Sequence, residues 1–413
     1  RSPCAAIYLL WRKNHDKLFG TLPIFSQRTT MSKATANHRE EKSMKSPFLA
    51  LFVLCMAFVL VDTVFAVDPV PDIKANRSNS PITITPNDNL IVTVELDPGS
   101  HSGKDADWWV IADSPFGWYH YDIDCGCWIS NPGPYLPVTY QGSLFDLSPP
   151  LEVLSMSALP TGAYTFYFLV DIMMNGQIDE PFYYDSVVVK VERRIEFSGY
   201  SWKVKSGEYP IGPGPNLFSD SKENVWVDKD GWLHLKITKR DGKWYCAEVI
   251  AEESLGHGKY IFYLASRVDQ LDRNVVAGLF TWDDTAPQYN YREIDVEFSR
   301  WGEETNNNSQ YVVQPWYNPG NMHRFNMELN GNYTTHCFDW EPDRILFQSI
   351  YDHYLCPTLP DDPLVIESWT YTGDNIPPYG KENVSINLWL YNGIPPSDGK
   401  EAEIVIKKFK FLK

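Results

Sequence analysis

Three acidic residues alternate with three apolar residues in the segment EIDVEF, residues 293–298. On an extended strand successive side chains point to opposite faces, so Glu293, Asp295 and Glu297 share one face. Acidic neighbours on that face lie roughly 6–7 Å apart along the backbone, so their charges repel and at least one carboxyl pKa is expected to rise. The pattern predicts carboxylates gathered for acid–base or nucleophilic chemistry.

Glycoside hydrolysis is a reaction that uses such a set. One carboxylate acts as nucleophile or base, and a second carboxyl stays protonated to donate to the leaving oxygen. Retaining enzymes hold the two carboxyls about 5–5.5 Å apart, whereas residues four apart on a straight strand have α-carbons about 13 Å apart. Glu293 and Glu297 must therefore lean together on a curved strand, with Asp295 orienting the nucleophile. On spacing alone, a solvated acidic strand face is the alternative.

Aromatic side chains flank the acidic segment. Tyr291 precedes it, Trp301 follows it, and Trp282 lies upstream. Because aromatic rings bind the flat faces of sugars, these neighbours favour a carbohydrate site over a solvated strand.

Several segments in the second half of the chain resemble glycoside hydrolase family 16. Residues 291–302, YREIDVEFSRWG, resemble its catalytic strand in the short form without a bulge. Residues 335–345, THCFDWEPDRI, resemble the family's H-x-Y-x-F/I-x-W-x-P-D-x-I segment, and residues 387–389 resemble its N-L-W strand. The resemblance covers about residues 197–413. It implies an all-β fold, a curved concanavalin-like jelly roll whose concave face carries the cleft, and cleavage with retention.

The resemblance also implies roles for individual residues. The nucleophile falls on Glu293, the assisting aspartate on Asp295 and the general acid/base on Glu297. Further sugar contacts are expected from the family match or from position near the motif. These substrate-binding candidates are Tyr291, Trp389, Trp282, Arg300, Trp301, Gln314, Trp316, Asn216 and Glu248.

Glu248 and the segment at residues 406–409 can each be compared with the lichenases of this family. Glu248 resembles a cleft carboxylate of the lichenases, but a charged strand residue facing solvent fits equally well. The structural calcium of the lichenases is not expected, because the chain reads IKKF at residues 406–409. No metal and no cofactor is expected.

The charge balance narrows the choice of partner. The chain carries a net charge of −17, and its first 66 residues hold nine Lys/Arg against four Asp/Glu, so the remainder carries about −22. Nucleic acid and anionic polymers are poor partners for such a surface, whereas a neutral polysaccharide is unaffected. The sequence indicates no oligomeric state.

Residues 44–66 predict a secretory signal. Lys45 supplies positive charge, residues 48–61 are an unbroken apolar run, and the segment ends in a small residue, as signal peptidases prefer. A membrane anchor is the alternative, but spanning takes about 20 apolar residues, so stable insertion is not expected. Residues 1–43 would be an upstream extension, and the protein is expected to be secreted, periplasmic or at the cell surface.

The remainder reads as two β-rich modules, because β-branched runs alternate with Gly/Pro turns. Residues 67–80 are predicted to be a polar linker, residues 81–194 an immunoglobulin-like or fibronectin-like sandwich, and residues 195–413 the catalytic domain. Aromatic residues of the first module are expected to pack in its core, with glycan binding as the alternative. They are Trp108, Trp109, Trp118, Tyr119 and Tyr121.

Five cysteines follow the signal. Cys337 and Cys356 are the first pairing to test, since export allows disulfides. Cys125 and Cys127 are too close in sequence to form an ordinary bridge easily.

Two functions from different classes remain open on the sequence. One is a secreted endo-acting β-glucanase for mixed-linkage or β-1,3/β-1,4 glucan, with transglycosylation as a variation on the same intermediate. The other is a glycan-binding surface protein without turnover.

Overall fold

A computed structural model describes residues 67–207 and 209–413. Strands dominate this part of the chain, which confirms the prediction of an all-β fold. Its helices are short 3-10 turns at Gly99–His101, Val268–Gln270, Pro287–Arg292 and Tyr391–Gly393. None of the helices in these described ranges has the length and apolar character required to cross a bilayer. The predicted upstream extension and signal, residues 1–66, lie outside the described residues.

The first unit is a sandwich of two sheets. Its strands are β1 (Val70–Ala75), β2 (Ile82–Ile84), β3 (Leu90–Asp97), β4 (Asp105–Ser114), β5 (Gly117–Asp122), β6 (Cys127–Ser130), β7 (Tyr140–Ser143), β8 (Leu147–Met156), β9 (Gly162–Asp171) and β10 (Phe182–Val191). One sheet has the order β1-β3-β8, and the other has the order β2-β10-β9-β4-β5-β6 with β7 beside β4. Alternate residues of β3 are buried, and one core joins both sheets. An immunoglobulin-like or fibronectin-like relationship stays a prediction.

The structure corrects the predicted linker at residues 67–80. Val70–Ala75 is a strand that pairs with β3 along its whole length, and Ile73 and Ala75 are fully buried. The segment belongs to the sandwich because every second residue enters the core. Of the aromatic residues, Trp108, Trp109 and Tyr121 are buried and serve packing.

The disulfides give one confirmation and one correction. Cys337 and Cys356 form the predicted bridge. Cys125 and Cys127 are also bridged, so the expectation that they are too close was wrong. A tight turn with Gly126 at positive φ brings their α-carbons to 5.3 Å. Cys246 is free and buried.

The second unit is built from the strands that follow. They are β11 (Arg194–Phe197), β12 (Tyr200–Val204), β13 (Leu217–Phe218), β14 (Val225–Val227), β15 (Leu233–Arg240), β16 (Lys243–Ala251), β17 (Gly258–Ala265), β18 (Val275–Trp282), β19 (Ile294–Phe298), β20 (Ser309–Val313), β21 (Met322–Phe325), β22 (Tyr333–Trp340), β23 (Ile345–Tyr351), β24 (Val365–Tyr371), β25 (Asn383–Leu390) and β26 (Ala402–Leu412).

These strands form two antiparallel layers in a jelly-roll-like arrangement. The layer called the cleft sheet has the order β11-β12-β16-β25-β18-β19-β20-β21. The back sheet has the order β14-β15-β26-β17-β22-β23-β24. A hairpin turn at Asp241-Gly242 connects β15 to β16 and so joins the two sheets, with both turn residues at positive φ. The core between the layers includes Val249 and Ile386 from one sheet and Leu235 and Ile404 from the other.

Candidate active site

Strand β19 divides its side chains between two environments. Ile294, Val296 and Phe298 are fully buried in the core between the sheets. Asp295 and Glu297 point to the other face and line an open cleft of about 1660 Å³. Glu293 lines the same cleft. It is the residue directly before the strand, and it follows the 3-10 turn Pro287–Arg292. The three acids therefore open into one cavity, as their alternation predicts.

Strand register places one polar row across the cleft floor. Directly paired residues on neighbouring strands run in the order Glu248, Asn387, Gly278, Glu297, Gln310 and Arg324. Because neighbouring strands lie about 4.8 Å apart, this row spans about 24 Å. The floor is thus a band of hydrogen-bonding groups with Glu297 near its middle.

A hydrogen-bond chain fixes the carboxyl of Glu297. Arg324 Nε donates to Gln310 Oε1 at 2.8 Å, and Gln310 Nε2 donates to Glu297 Oε2 at 2.7 Å. Since a guanidinium can only donate, it must face the amide oxygen of Gln310, and the amide NH₂ is left facing the carboxyl. The orientation of Gln310 is therefore dictated by Arg324.

A second glutamine orients Asp295 in the same way. The main-chain N–H of Trp316 donates to Gln314 Oε1 at 2.9 Å, and Gln314 Nε2 donates to Asp295 Oδ2 at 3.1 Å. Asp295 in turn shares a hydrogen bond with Glu293. That bond requires a proton on one of the two carboxyls. It lowers the pKa of Glu293 and raises the pKa of Asp295, so Asp295 is the donor.

Burial and mutual repulsion shift the pKa of all three acids upward. Burial raises the pKa of Glu293 to about 8, and the charge of Glu297 adds to this rise. Burial also raises the pKa of Glu297 to about 7, against the opposing hydrogen bond from Gln310. The pKa of Asp295 is raised well above its usual range by burial and by the charges of both glutamates. Near neutral pH the acids therefore retain protons that ordinary carboxyls would have lost.

Glu248 is a fourth carboxylate in the cleft. Lys205 Nζ lies 3.0 Å from both of its carboxyl oxygens, and Asn387 Nδ2 donates to one of them at 3.5 Å. Burial raises its pKa, and the charge of Lys205 opposes that rise. The structure places Glu248 on the cleft floor instead of in solvent.

Gly278 leaves room in the floor beside Glu297. A Cβ at this position would lie 2.6 Å from Asn387 Oδ1, which is too close for an ordinary contact. A side chain at this position would displace the amide of Asn387, so glycine keeps the floor open between Asn387 and Glu297.

Aromatic rings line the walls of the cleft. Trp389 and Trp301 pack edge to face with centroids 6.1 Å apart, and both line the cleft. Trp282 lines it as well, and Tyr291 stacks on the Trp282 ring with centroids 4.4 Å apart. Trp316 is 58% exposed at the rim. These rings provide flat apolar surfaces beside the acids.

Three predicted sugar contacts lie elsewhere. Arg300 does not line the cleft. Its guanidinium donates to the main-chain oxygens of Leu271 and Asp269 and so stabilises that loop. Asn216 is buried with its amide donating to the main chain, and it also lies outside the cleft lining. Tyr291 stacks on the ring of Trp282 and does not itself line the cleft. For Arg300 and Tyr291, nearness in sequence to the motif did not bring the side chain into the cleft lining.

Besides Asn387, which lies in the N-L-W match but was given no site role, sequence reasoning missed four residues of the floor: Lys205, Gly278, Gln310 and Arg324. The segments that contain these residues carry no recognisable motif. Their positions in the cleft depend on which strands pair and in what register, which cannot be read from the sequence. Period-two counting from Glu297 could not have found them without knowing which strands are neighbours.

Comparison of the sequence with protein-family models and with curated proteins finds no match. Among solved structures, the chain is similar to a β-glucanase of Bacillus licheniformis, at 18% identity and a TM-score of 0.39, over 54% of this chain and 98% of that one. It is also similar to a laminarinase from Flavobacterium sp. UMI-01, at 14% identity and a TM-score of 0.38, over 51% of this chain and 93% of that one.

A pseudo β-1,3-glucanase of Mycobacterium tuberculosis is a third similar structure, at 20% identity and a TM-score of 0.36, over 50% of this chain and 88% of that one. Glucanases and laminarinases are the kind of protein that the sequence resemblance led us to expect. At these identities and scores the similarity carries no conclusion about activity, which depends on the residues of the cleft.

Proposed function

We propose that this protein is an endo-acting glycoside hydrolase that cleaves a neutral β-linked glucan with retention. The observation that carries the proposal is the opening of Glu293, Asp295 and Glu297 into one cleft between aromatic walls. Two carboxyls that share a cavity and have raised pKa values can hold one proton between them near neutral pH, and this state supplies both the ionised nucleophile and the acid that the reaction requires.

In the first step a carboxylate oxygen of Glu293 attacks the anomeric carbon, and the bond from that carbon to the leaving sugar oxygen breaks. Glu297 gives its proton to the departing oxygen, so the leaving group departs as a neutral alcohol. The hydrogen bond from Asp295 opposes the rise in the pKa of Glu293, which favours its ionised form, and aims the carboxylate for attack. The product of this step is a glycosyl ester on Glu293.

In the second step Glu297, now ionised, removes a proton from a water molecule. The water oxygen attacks the anomeric carbon, and the ester bond to Glu293 breaks. Gln310 stabilises the charged form of Glu297 during this step, because its amide donates to the carboxylate. A sugar hydroxyl in place of water would give transglycosylation from the same intermediate.

The roles of the two glutamates rest on their match to the family motif. Their raised pKa values show that they retain protons near neutral pH, and do not say which of them is the nucleophile.

A neutral polymer fits the charges of the cleft. Glu248 adds a fourth carboxylate to the floor, and its charge is offset by Lys205. An anionic sugar would meet the acids unfavourably, whereas glucan hydroxyls can pair with Asn387, Gln310 and the carboxylates. Exposed rings at the rim, such as Trp316, favour binding within a long chain, which is the basis for endo action.

The proposal places the enzyme outside the cytoplasm. Residues 44–66 have the pattern of a secretory signal. The bridges Cys125–Cys127 and Cys337–Cys356 fit an oxidising compartment.

A panel of polysaccharides tests the function. Barley mixed-linkage glucan, laminarin, xyloglucan and agarose would be incubated with the protein, and new reducing ends and viscosity would be measured. We expect reducing ends from barley glucan or laminarin, with viscosity falling early because internal bonds break first. Absence of reducing ends from every polymer would overturn the proposal and favour a glycan-binding protein.

The pH profile of kcat/KM is expected to peak near pH 7–8. Below about pH 7 both glutamates become protonated and the nucleophile is lost, and above about pH 8 both become ionised and the acid is lost. Replacement of Gln310 by Ala removes a donor that favours ionised Glu297, so the pKa of Glu297 should rise and, because the two glutamates titrate as a pair, the whole profile should move to higher pH. Values of kcat/KM measured from pH 4 to pH 10 for wild type and for Gln310→Ala check the optimum and the shift. A wild-type optimum near pH 5 would contradict the predicted profile.

A further inference from the structure

The connection between the two units is short. Strand β10 ends at Val191 and β11 begins at Arg194, so two residues join the N-terminal sandwich to the cleft sheet. Two residues span at most about 7 Å. The first unit must therefore lie beside the edge of the cleft sheet that β11 and β12 form.

Polar contacts fix this junction. Arg193 Nη1 donates to the main-chain oxygens of Asp220 at 2.6 Å and Val225 at 2.9 Å. On the other side, Glu192 lies 2.7 Å from Lys203 Nζ on strand β12. The hydrogen bonds of Arg193 and the ion pair of Glu192 therefore attach the connection between the two units to the second unit.

The cleft runs toward this junction. From Glu297 the polar row crosses Gly278 and Asn387 to Glu248, and the main-chain N–H of Lys205 donates to the oxygen of Glu248. Four strand steps separate Glu297 from Lys205, or about 19 Å. Beyond Lys205 the wall of the same cavity is formed by residues of the N-terminal sandwich, among them Phe116, Gly162 and Lys190.

Phe116 is a large apolar side chain that the N-terminal sandwich contributes to the lining of this cavity. It lies in the turn between β4 and β5 and is 60% exposed. Ser114 holds the turn, because its hydroxyl donates to the oxygen of Gly117 and accepts from the N–H of Phe116. A phenyl ring on a fixed turn at the wall of a glycan cleft is suited to stack on a sugar face.

We propose that the N-terminal sandwich supplies an outer sugar subsite of the cleft, with Phe116 as its platform. The inference rests on the proposed function and names a substrate class, a glucan chain long enough to reach from the acids to the sandwich. Short oligosaccharides that occupy only the positions beside Glu293 and Glu297 would not touch this subsite.

The test compares Phe116→Ala with Tyr135→Ala. Tyr135 is an exposed ring of the same sandwich that does not line the cleft, so it is a matched control. Values of kcat/KM would be measured on the polymeric glucan that wild type cleaves and on the shortest oligosaccharide that it cleaves. Phe116→Ala is expected to lower kcat/KM on the polymer about fivefold and to leave the oligosaccharide unchanged, and Tyr135→Ala is expected to change neither.

The possible outcomes separate the two proposals. Equal rates of Phe116→Ala and wild type on the polymer would overturn the subsite and leave the hydrolase standing. An equal loss on both substrates would also overturn the subsite, since it would indicate a general structural effect. A wild-type protein that cleaves no glucan would overturn the hydrolase and, with it, the subsite.

Discussion

Glu293→Gln is expected to lower kcat on the preferred glucan by roughly 10,000-fold or more, because the amide cannot form the glycosyl ester on which both steps depend. The substitution is close to isosteric, so the rings and the other acids of the cleft should still bind the polymer. Reducing-end release over long incubations gives the rate, and retardation of the variant in gels that contain glucan gives the binding.

Glu304→Gln is the matched control for this variant. Glu304 is an exposed glutamate a few residues after the motif, and it does not line the cleft. The control is expected to retain the wild-type rate. A Glu293→Gln variant that also retains it would remove Glu293 from the reaction.

Glu297→Gln is expected to lower kcat/KM on glucan by about 100- to 10,000-fold, since the leaving oxygen would depart without a proton. The loss should shrink on an aryl glycoside whose phenol is already a good leaving group, because that oxygen needs little protonation. The second step would still lack its base, so the variant should release a burst of phenol and then slow down as the glycosyl ester accumulates.

The comparison between leaving groups separates the two glutamates. Glu293→Gln should lose activity on both kinds of substrate, whereas Glu297→Gln should recover on the activated one. If Glu297→Gln instead loses equally on glucan and aryl glycoside, the assignment of the acid is wrong.

Much of the acid-bearing strand could be predicted from the sequence, because its information is local. Alternation of acid and apolar residues fixes which face of a strand each side chain takes, and the structure has Ile294, Val296 and Phe298 in the core with Asp295 and Glu297 in the cleft. The all-β fold follows from β-branched runs that alternate with Gly/Pro turns.

The remainder of the cleft depends on long-range pairing, which local patterns do not encode. Gln310 reaches Glu297 because β20 pairs with β19, and Lys205 reaches Glu248 because β12 pairs with β16. Arg300 shows the reverse case, since it follows the motif closely and yet its side chain turns to the main chain of Leu271.

The sequence predicts linker where the short strand β1 lies, for a related reason. Its polar residues and its proline mask a pattern in which only alternate positions are buried. Pairing with β3 supplies the hydrogen bonds that make the strand, and that partner lies outside any local window of sequence.

In the proposed mechanism Glu293 and Glu297 cleave a β-linked glucan by two displacements at one carbon. Proton NMR of the reducing ends in the first minutes of hydrolysis distinguishes this mechanism from a single displacement, because two inversions leave the configuration unchanged. We expect the first-formed ends to be β-anomers, which only later equilibrate with the α form. First-formed α-anomers would contradict it, since they would require a single displacement by water.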